Sequence, residues 1–348
     1  MIKVCICGGG ALGHVCAGVL SSNNNVSLNI LTREPEKWCK TLEIADPDEK
    51  VFHGKINEIS SNPKKVVKDC DIVFLCLPGF AIEDELSAIK PYLSEKTIVG
   101  SIVCSTGFFF FAHEILNPTT KLFGFQRTPF IARIKEYGHT AKLLGYKKSV
   151  SIATENIPNP ENFGQLIEML WLTPVNILNS FYEVSLTNSN PILHTGRLYS
   201  MFNNWNGKPF DHNILFYEEW TDDSSNIIIE MDKEFFKLLE KLPIREGAIK
   251  PLLEYYESTD SESLTKKIKS IAAFQGILSP MKEVSNGWIP DYNDRYFMED
   301  FPFGLKFIHD LAKEYGVYTP RINLVFDWGM KIIENSTTKS KNIDIKKN

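Results

Sequence analysis

The chain has 348 residues and a formal net charge of −5, with 43% hydrophobic and 23% charged residues. These are globular proportions with material for two cores, since one domain usually needs roughly 150 residues. They argue against nucleic acid as the main partner, because no marked basic tract precedes Lys339 to Lys347 and phosphate binding needs a clustered basic face.

Ile2 to Cys7 reads as a strand, so no secretory signal is expected ahead of it. Gly8 to Gly13 then turns, Val15 to Leu20 continues as a small-residue helix, and Val26 to Leu31 alternates as a second strand. Asp71 to Leu77 is a continuous apolar run closed by Pro78 and Gly79, as expected of a parallel strand buried on both faces. An amphipathic helix follows over Ile82 to Leu93, then a further buried strand over Thr97 to Cys104. This alternation predicts an α/β Rossmann domain, an open doubly wound parallel sheet flanked by helices. Leu122 to Phe125 and Ser149 to Ala153 are weaker strands that extend it, and Phe108 to Phe111 reads as core packing. From Phe181 helical periodicity takes over. Leu305, Ile308, Leu311, Ala312 and Tyr315 share one face, Gly316 stops that helix, and Pro320 opens the next. The expected organisation is therefore a Rossmann domain over residues 1–181, a mainly α-helical domain over 182–335 and a polar flexible tail over 336–348.

No stretch spans a membrane: the most apolar, Ile98 to Ala112, is shorter than the ~20 residues required and holds several Gly, Ser and Thr. All seven cysteines lie between Cys5 and Cys104, mostly beside apolar strand-like runs, which suits reduced thiols in a cytoplasmic core. No Cys pair has zinc spacing, and no metal is expected.

The strongest local signal is Gly8-Gly9-Gly10-Ala11-Leu12-Gly13, a G-x-G-x-x-G that follows a strand and opens a helix. Gly8 permits the tight turn, Gly10 lets the backbone approach a pyrophosphate, and Gly13 lets the helix pack closely on the strand. The phosphates are expected at the helix N-terminus, on the N–H groups around Ala11 and Leu12. The second strand ends at Thr32 and Arg33, with Glu34 arriving late. An acid at this point selects NAD and a nearby arginine accommodates a 2′-phosphate, so the expected cofactor is NADP, with NAD as the alternative. Arg33 is equally the kind of residue an exposed loop carries. Leu77, Pro78 and Gly79 fall beyond another strand end, where ligands of such sheets bind.

Hydride transfer to a C=O or C=N carbon needs a proton donor that titrates near neutrality, and histidine is the usual choice. Of seven histidines, His194 stands out in Asn190-Pro191-Ile192-Leu193-His194, where Asn190 can cap a helix with Pro191 at its first position. Spacing alone leaves a structural histidine at least as good a reading. A second segment, Asp294-Arg295-Tyr296-Phe297-Met298-Glu299-Asp300-Phe301-Pro302-Phe303-Gly304, offers Arg295 as a carboxylate clamp and Asp300 as a partner for His194. Asp300 could instead cap the helix beginning near Pro302, and Arg295 could pair with Glu299.

Asn-Pro-x-x-His ahead of a helical domain, followed by Arg-Tyr-x-x-Glu-Asp-x-Pro-x-Gly-Leu, resembles the octopine/nopaline (opine) dehydrogenases. Here these motifs are Asn190 to His194 and Arg295 to Leu305, with Gly316 to Pro320 and the Trp328 helix similar to that family's end. The resemblance implies a Rossmann domain and a helical domain like that of 6-phosphogluconate dehydrogenases. It implies a catalytic His194–Asp300 pair, and Arg295 and Asn190 on the substrate. The implied reaction joins an amino acid's α-amine to an α-keto acid such as pyruvate, with NAD(P)H as reductant, or runs in reverse. Other readings of the same plan are a ketopantoate-reductase-like or hydroxy-acid enzyme and a non-catalytic NADP sensor. The former relies on a lysine for which no comparable motif stands here, and the latter has no need of His194, Arg295 and Asp300 together. Nothing in the sequence opposes a homodimer.

Overall fold

Apolar runs four to six residues long, separated by glycine-rich or capped turns, organise the first half of the chain into one mixed sheet. The structure is a computed structural model describing residues 1–344, with side chains described through 336. The elements run β1 (Ile2–Cys7), α1 (Ala11–Ser21), β2 (Val26–Leu31), β3 (Thr41–Ala45), β4 (Val51–Ser60), α2 (Pro63–Val66) and β5 (Ile72–Leu75). Then come α3 (Gly79–Ile89), β6 (Ile98–Ser101), α4 (Phe108–Ile115), β7 (Lys121–Phe125), β8 (Phe130–Glu136) and β9 (Thr140–Tyr146). β10 (Val150–Glu155), α5 (Pro160–Trp171), β11 (Val175–Ile177) and α6 (Phe181–Ser185) complete this half.

The strand order is β11-β10-β7-β6-β5-β1-β2-β4-β3-β9-β8. From β7 to β4 all neighbours are parallel, and the winding reverses between β1 and β5. That is a doubly wound core, whose ligand crevice lies beyond the strand carboxyl ends at the reversal. The flanks are mixed: β11 runs parallel to β10 and β9 parallel to β3, while β10 opposes β7, β3 opposes β4, and β8 opposes β9. Short connections force the antiparallel β3–β4 and β8–β9 pairs, because parallel neighbours need a long crossover. At the β3–β4 turn, Asp46 accepts the N–H groups of Asp48 and Lys50, each at 2.9 Å.

Side chains alternate across β1, and each face meets its own core. Val4 and Ile6 pack with Val15 and Leu20 of α1 and Ile167 and Trp171 of α5. Cys5 and Cys7 face the other way, with Ile82 and Leu86 of α3 and Phe108 and Phe109 of α4. The cysteine clustering is thus a matter of small apolar volumes between sheet and helices, and all seven thiols are free.

The chain divides into two compact units, Met1–Thr187 and one beginning at Asn188. The division falls beyond position 181 because α6 packs on β7 and β10. The second unit holds α7 (Asn190–Phe202), α8 (Asp222–Leu239), α9 (Leu252–Tyr255) and α10 (Ser261–Ser270). A small hairpin, β12 (Met281–Val284) and β13 (Gly287–Pro290), precedes α11 (Arg295–Met298), a wide π-type turn over Phe301–Leu305, α12 (Lys306–Glu314) and α13 (Pro320–Asp344). Gly316, at φ +65°, follows α12 as expected of a helix stop. α13 runs past 335 into the segment expected as a flexible tail, since no Pro or Gly between 336 and 344 breaks it; 345–348 lie outside the described residues. No helix among the described residues is long and apolar enough to cross a membrane.

Candidate functional site

In the first unit the Gly8–Gly13 turn sits at the winding reversal, and its glycines divide by what surrounds them. Gly8 has φ +123°, and a Cβ there would come within 2.5 Å of the Cys76 carbonyl oxygen beyond β5. A Cβ on Gly13 would lie 2.2 Å from the Gly8 carbonyl oxygen. These two positions admit no side chain for reasons internal to the fold. Around Gly10 there is nothing within 4 Å of a Cβ, so the space is open. That open face, over the Ala11, Leu12 and Gly13 N–H groups of an α1 N-terminus with no side-chain cap, fits a dinucleotide pyrophosphate.

The other expected cofactor residues gather at the same sheet edge. Leu77 reaches Gly8, its Cδ2 lying 3.1 Å from where a Gly8 Cβ would be, while Pro78 caps α3 and Gly79 begins it. Thr32 is buried just past β2 and its N–H donates to the Ser60 carbonyl at 3.1 Å. Arg33 is exposed and forms no ion pair among the described residues. Glu34, the acid nearest to the β2 end, is tied to Lys37. Burial pushes the Glu85 carboxyl of α3 up, while the Cys7 thiol and the charge of Arg33 oppose that rise.

In the second unit, His194 and Asp300 meet across 106 residues of sequence, His194 Nδ1 lying 2.8 Å from Asp300 Oδ2. Small contacts make the approach possible. A Cβ on Gly304 would fall 2.8 Å from Pro191 of α7, and one on Gly329 would fall 2.0 Å from the Phe301 ring. The π-type turn therefore lies directly against α7 and α13, and Asp300 at its head faces His194. Asp300 makes no capping bond with its side chain, which leaves the carboxylate for the imidazole. Both side chains are mostly buried, at 10% and 19% exposure.

The other imidazole nitrogen, Nε2, lies 2.9 Å from the Tyr217 hydroxyl. Tyr217 stacks on Phe274 at 4.1 Å between ring centroids, and burial, helped by neighbouring Tyr296, pushes its hydroxyl well above the ordinary tyrosine range. Tyr296 also lies over His194, at 4.7 Å between centroids. Arg197, one turn along α7, is buried and fixes this segment: its Nε donates to the Phe216 carbonyl at 3.1 Å and its Nη2 to the Glu219 carbonyl at 2.8 Å. Tyr217 thus sits in a gripped loop. Sequence reasoning found neither, because the loop of Tyr217 carries no motif and Arg197 lies on α7 beyond the Asn190–His194 motif.

The remaining expected residues are placed differently. Arg295 forks onto Glu299, with Nε and Nη2 at 3.0 and 2.9 Å from its two oxygens, on an otherwise exposed side chain. Asn190 is not the helix cap: Ser189 occupies that position, and the Asn190 N–H donates to Asn188 Oδ1 at 3.2 Å. Asn190 is half-buried one turn ahead of His194.

A doubly wound domain with an open glycine turn, joined to a helical domain carrying a buried His–Asp pair, defines an NAD(P)-dependent oxidoreductase. Residues 177–333 match the family model of the alpha-helical domain of NAD/NADP octopine/nopaline dehydrogenases, and residues 4–103 match that of ketopantoate reductase PanE/ApbA. The chain is 27% identical to tauropine dehydrogenase of Arabella iricolor, over 96% of this chain and 92% of that protein. It is likewise 27% identical to octopine dehydrogenase of Mizuhopecten yessoensis, over 95% and 90%. A solved structure of octopine dehydrogenase with NADH and L-arginine shares the fold, with a TM-score of 0.83 at 24% identity, over 96% of this chain and 90% of that one. The helical domain, residues 177–333, is that of the octopine/nopaline dehydrogenase family.

Proposed function

We propose that this enzyme condenses an amino acid's α-amine with an α-keto acid such as pyruvate and reduces the product to an N-(1-carboxyalkyl) amino acid, using NADPH in preference to NADH. The observation that carries the reading is the imidazole of His194 held between Asp300 and Tyr217, in a domain matching the octopine/nopaline model. The names of the relatives, tauropine and octopine dehydrogenases, agree with an amino-compound substrate that differs from member to member.

With Nδ1–H donating to ionised Asp300, Nε2 is left as the basic nitrogen. It takes a proton from the substrate ammonium and frees the amine to attack the keto carbon. Asp300 stabilises the imidazolium so formed. That proton then returns to the carbinolamine hydroxyl, which leaves as water, and an iminium remains. The nicotinamide, when bound, supplies the hydride that reduces the iminium carbon. A further proton from solvent, delivered on the same nitrogen, completes the secondary ammonium. Tyr217 stands at Nε2, on the path of each transfer. Arg295 binds a substrate carboxylate by exchanging Glu299 for it, since its fork matches either carboxylate. Asn190 supports the amino-acid end from one turn away on α7. Arg33, with no ion pair among the described residues and with Glu34 held by Lys37, favours a 2′-phosphate.

Absorbance of the reduced cofactor tests the reaction. Oxidation is expected only when pyruvate and a mixture of amino acids are both present, and faster with NADPH than with NADH. Equal oxidation with pyruvate alone would make the protein a keto-acid reductase.

A further inference from the structure

The β8–β9 turn is pinned to the dinucleotide turn by contacts that the reaction does not explain. The Gly138 N–H donates to His14 Nε2 at 2.7 Å, and the Gly138 carbonyl accepts the Cys39 N–H at 3.0 Å. A backbone N–H can only donate, so Nε2 of His14 holds a lone pair and Nδ1 carries the proton given to the Gly10 carbonyl, 2.9 Å away. Gly138 has φ +76°, and a Cβ on it would meet the Lys37 carbonyl oxygen at 1.9 Å. The turn is therefore seated in one position.

That seating delivers Tyr137 onto the glycine turn. A Cβ built on Gly9 would fall 2.6 Å from the Tyr137 hydroxyl oxygen and 3.0 Å from the Thr32 hydroxyl oxygen. Two hydroxyls converge on one point above Gly9, and neither has a hydrogen-bond partner among the described residues. Thr32 directly follows β2, the place where a doubly wound sheet reads the adenosine ribose. Arg33 is next to it, and the nearest acid, Glu34, is occupied by Lys37. The surroundings offer donors, which suit the oxygens of a ribose phosphate better than a bare diol.

We propose that Tyr137 binds the adenosine ribose of the dinucleotide together with Thr32, and that this hydroxyl pair takes part in selecting a 2′-phosphorylated cofactor. The inference rests on the NADPH reading above and adds a specificity residue from a turn far from the glycine motif in sequence. It also explains why Gly9, which needs no unusual backbone conformation, has no side chain: any Cβ would displace the tyrosine hydroxyl.

Direct binding separates the two claims. Affinities for NADPH, NADH, 2′,5′-ADP and reduced nicotinamide mononucleotide are measured by titration calorimetry on the wild type and on Tyr137→Phe. The variant is expected to keep the wild-type melting temperature and to bind NADPH and 2′,5′-ADP about tenfold more weakly, as for one lost hydrogen bond to a charged acceptor. Its affinity for the mononucleotide, which lacks the adenosine half, stays unchanged. Unaltered affinity for both dinucleotides, or an equal loss with the mononucleotide, overturns the role of Tyr137. If the wild type binds NADH more tightly than NADPH while Tyr137→Phe still weakens NADH, the cofactor preference falls and the ribose contact stands.

Discussion

In the first unit, the candidate binding turn is built by leaving side chains out. Gly8 and Gly13 close against carbonyl oxygens, Gly10 faces open space, and the helix N–H groups carry no side-chain cap. In the second unit, everything depends on side chains from distant parts of the chain: His194 on α7, Tyr217 in the loop after it, and Asp300 at the head of the π-type turn. The first kind of site lives within six consecutive residues and tolerates almost no substitution for steric reasons. The second is assembled only when α7, α13 and the π-type turn have packed, and each member can be removed with the fold largely intact. The two units should therefore fail differently.

The largest expected effect is in the second unit. His194→Ala should lower kcat by ~10²–10⁴, the cost of a lost general acid–base, while the NADPH affinity measured by calorimetry stays near the wild-type value. Full activity across the pH range would end the assignment.

In the first unit one substitution, made twice, should give two results. Gly13→Ala drives a Cβ to 2.2 Å from a backbone oxygen that cannot yield, so overpacking should destabilise by about 3 kcal/mol and abolish cofactor binding together with the melting temperature. Gly10→Ala meets nothing in the protein, so its melting temperature should match the wild type while NADPH binds more weakly. Loss of stability in both variants would reduce the turn to a structural feature.

The smallest effect concerns a buried charge in the second unit. Asp232 accepts the Leu252 N–H at 3.0 Å, and burial raises its carboxyl from the ordinary 3.8 to about 6 despite that bond. A raised folded value means that the neutral form stabilises the fold at low pH and that this contribution is lost as pH rises through about 6. Asp232→Asn keeps an acceptor and removes the charge, so it should be the more stable protein at pH ~8, by about 2 kcal/mol, with the gap closing below pH ~4. Thermal unfolding at the two pH values checks it; an equal gap at both would show that ionisation is not its source.

The same contrast governs what could be read in advance. β1, α1 and β2 are legible because an apolar run, a glycine turn and a small-residue helix follow one another within 31 residues. β4 is harder. Its burial alternates along Val51–Ser60, but the inward position 54 is a glycine and the outward His53, Lys55 and Asn57 are polar, so no apolar run announces it. β8 and β9 carry exposed Ile131, Ile134 and Leu144, which blurs their period. In the second unit the closeness of His194 and Asp300 came from the family resemblance rather than from spacing, since local pattern says nothing of residues 106 apart. Tyr217 left no signal beyond an aromatic cluster with Phe216 and Trp220. Ser189 and Asn190 are both good capping residues, and only the backbone decides between them.

The tautomer of His14 has a consequence for the whole first unit. Its ring is a two-sided clasp, one nitrogen giving and one receiving, between the carbonyl of the glycine turn and the N–H of the β8–β9 turn. A second proton on that ring would leave Gly138 facing a donor instead of an acceptor. Burial accordingly holds the imidazole below its ordinary 6.5, the Gly10 contact only partly offsetting that. The folded domain refuses a proton that the unfolded chain accepts, so the clasp contributes fully above pH 6.5 and progressively less as the pH falls below it. Acidification is therefore thermodynamically equivalent to adding a ligand of the unfolded state, and a dinucleotide that binds only the folded turn would drive that proton off.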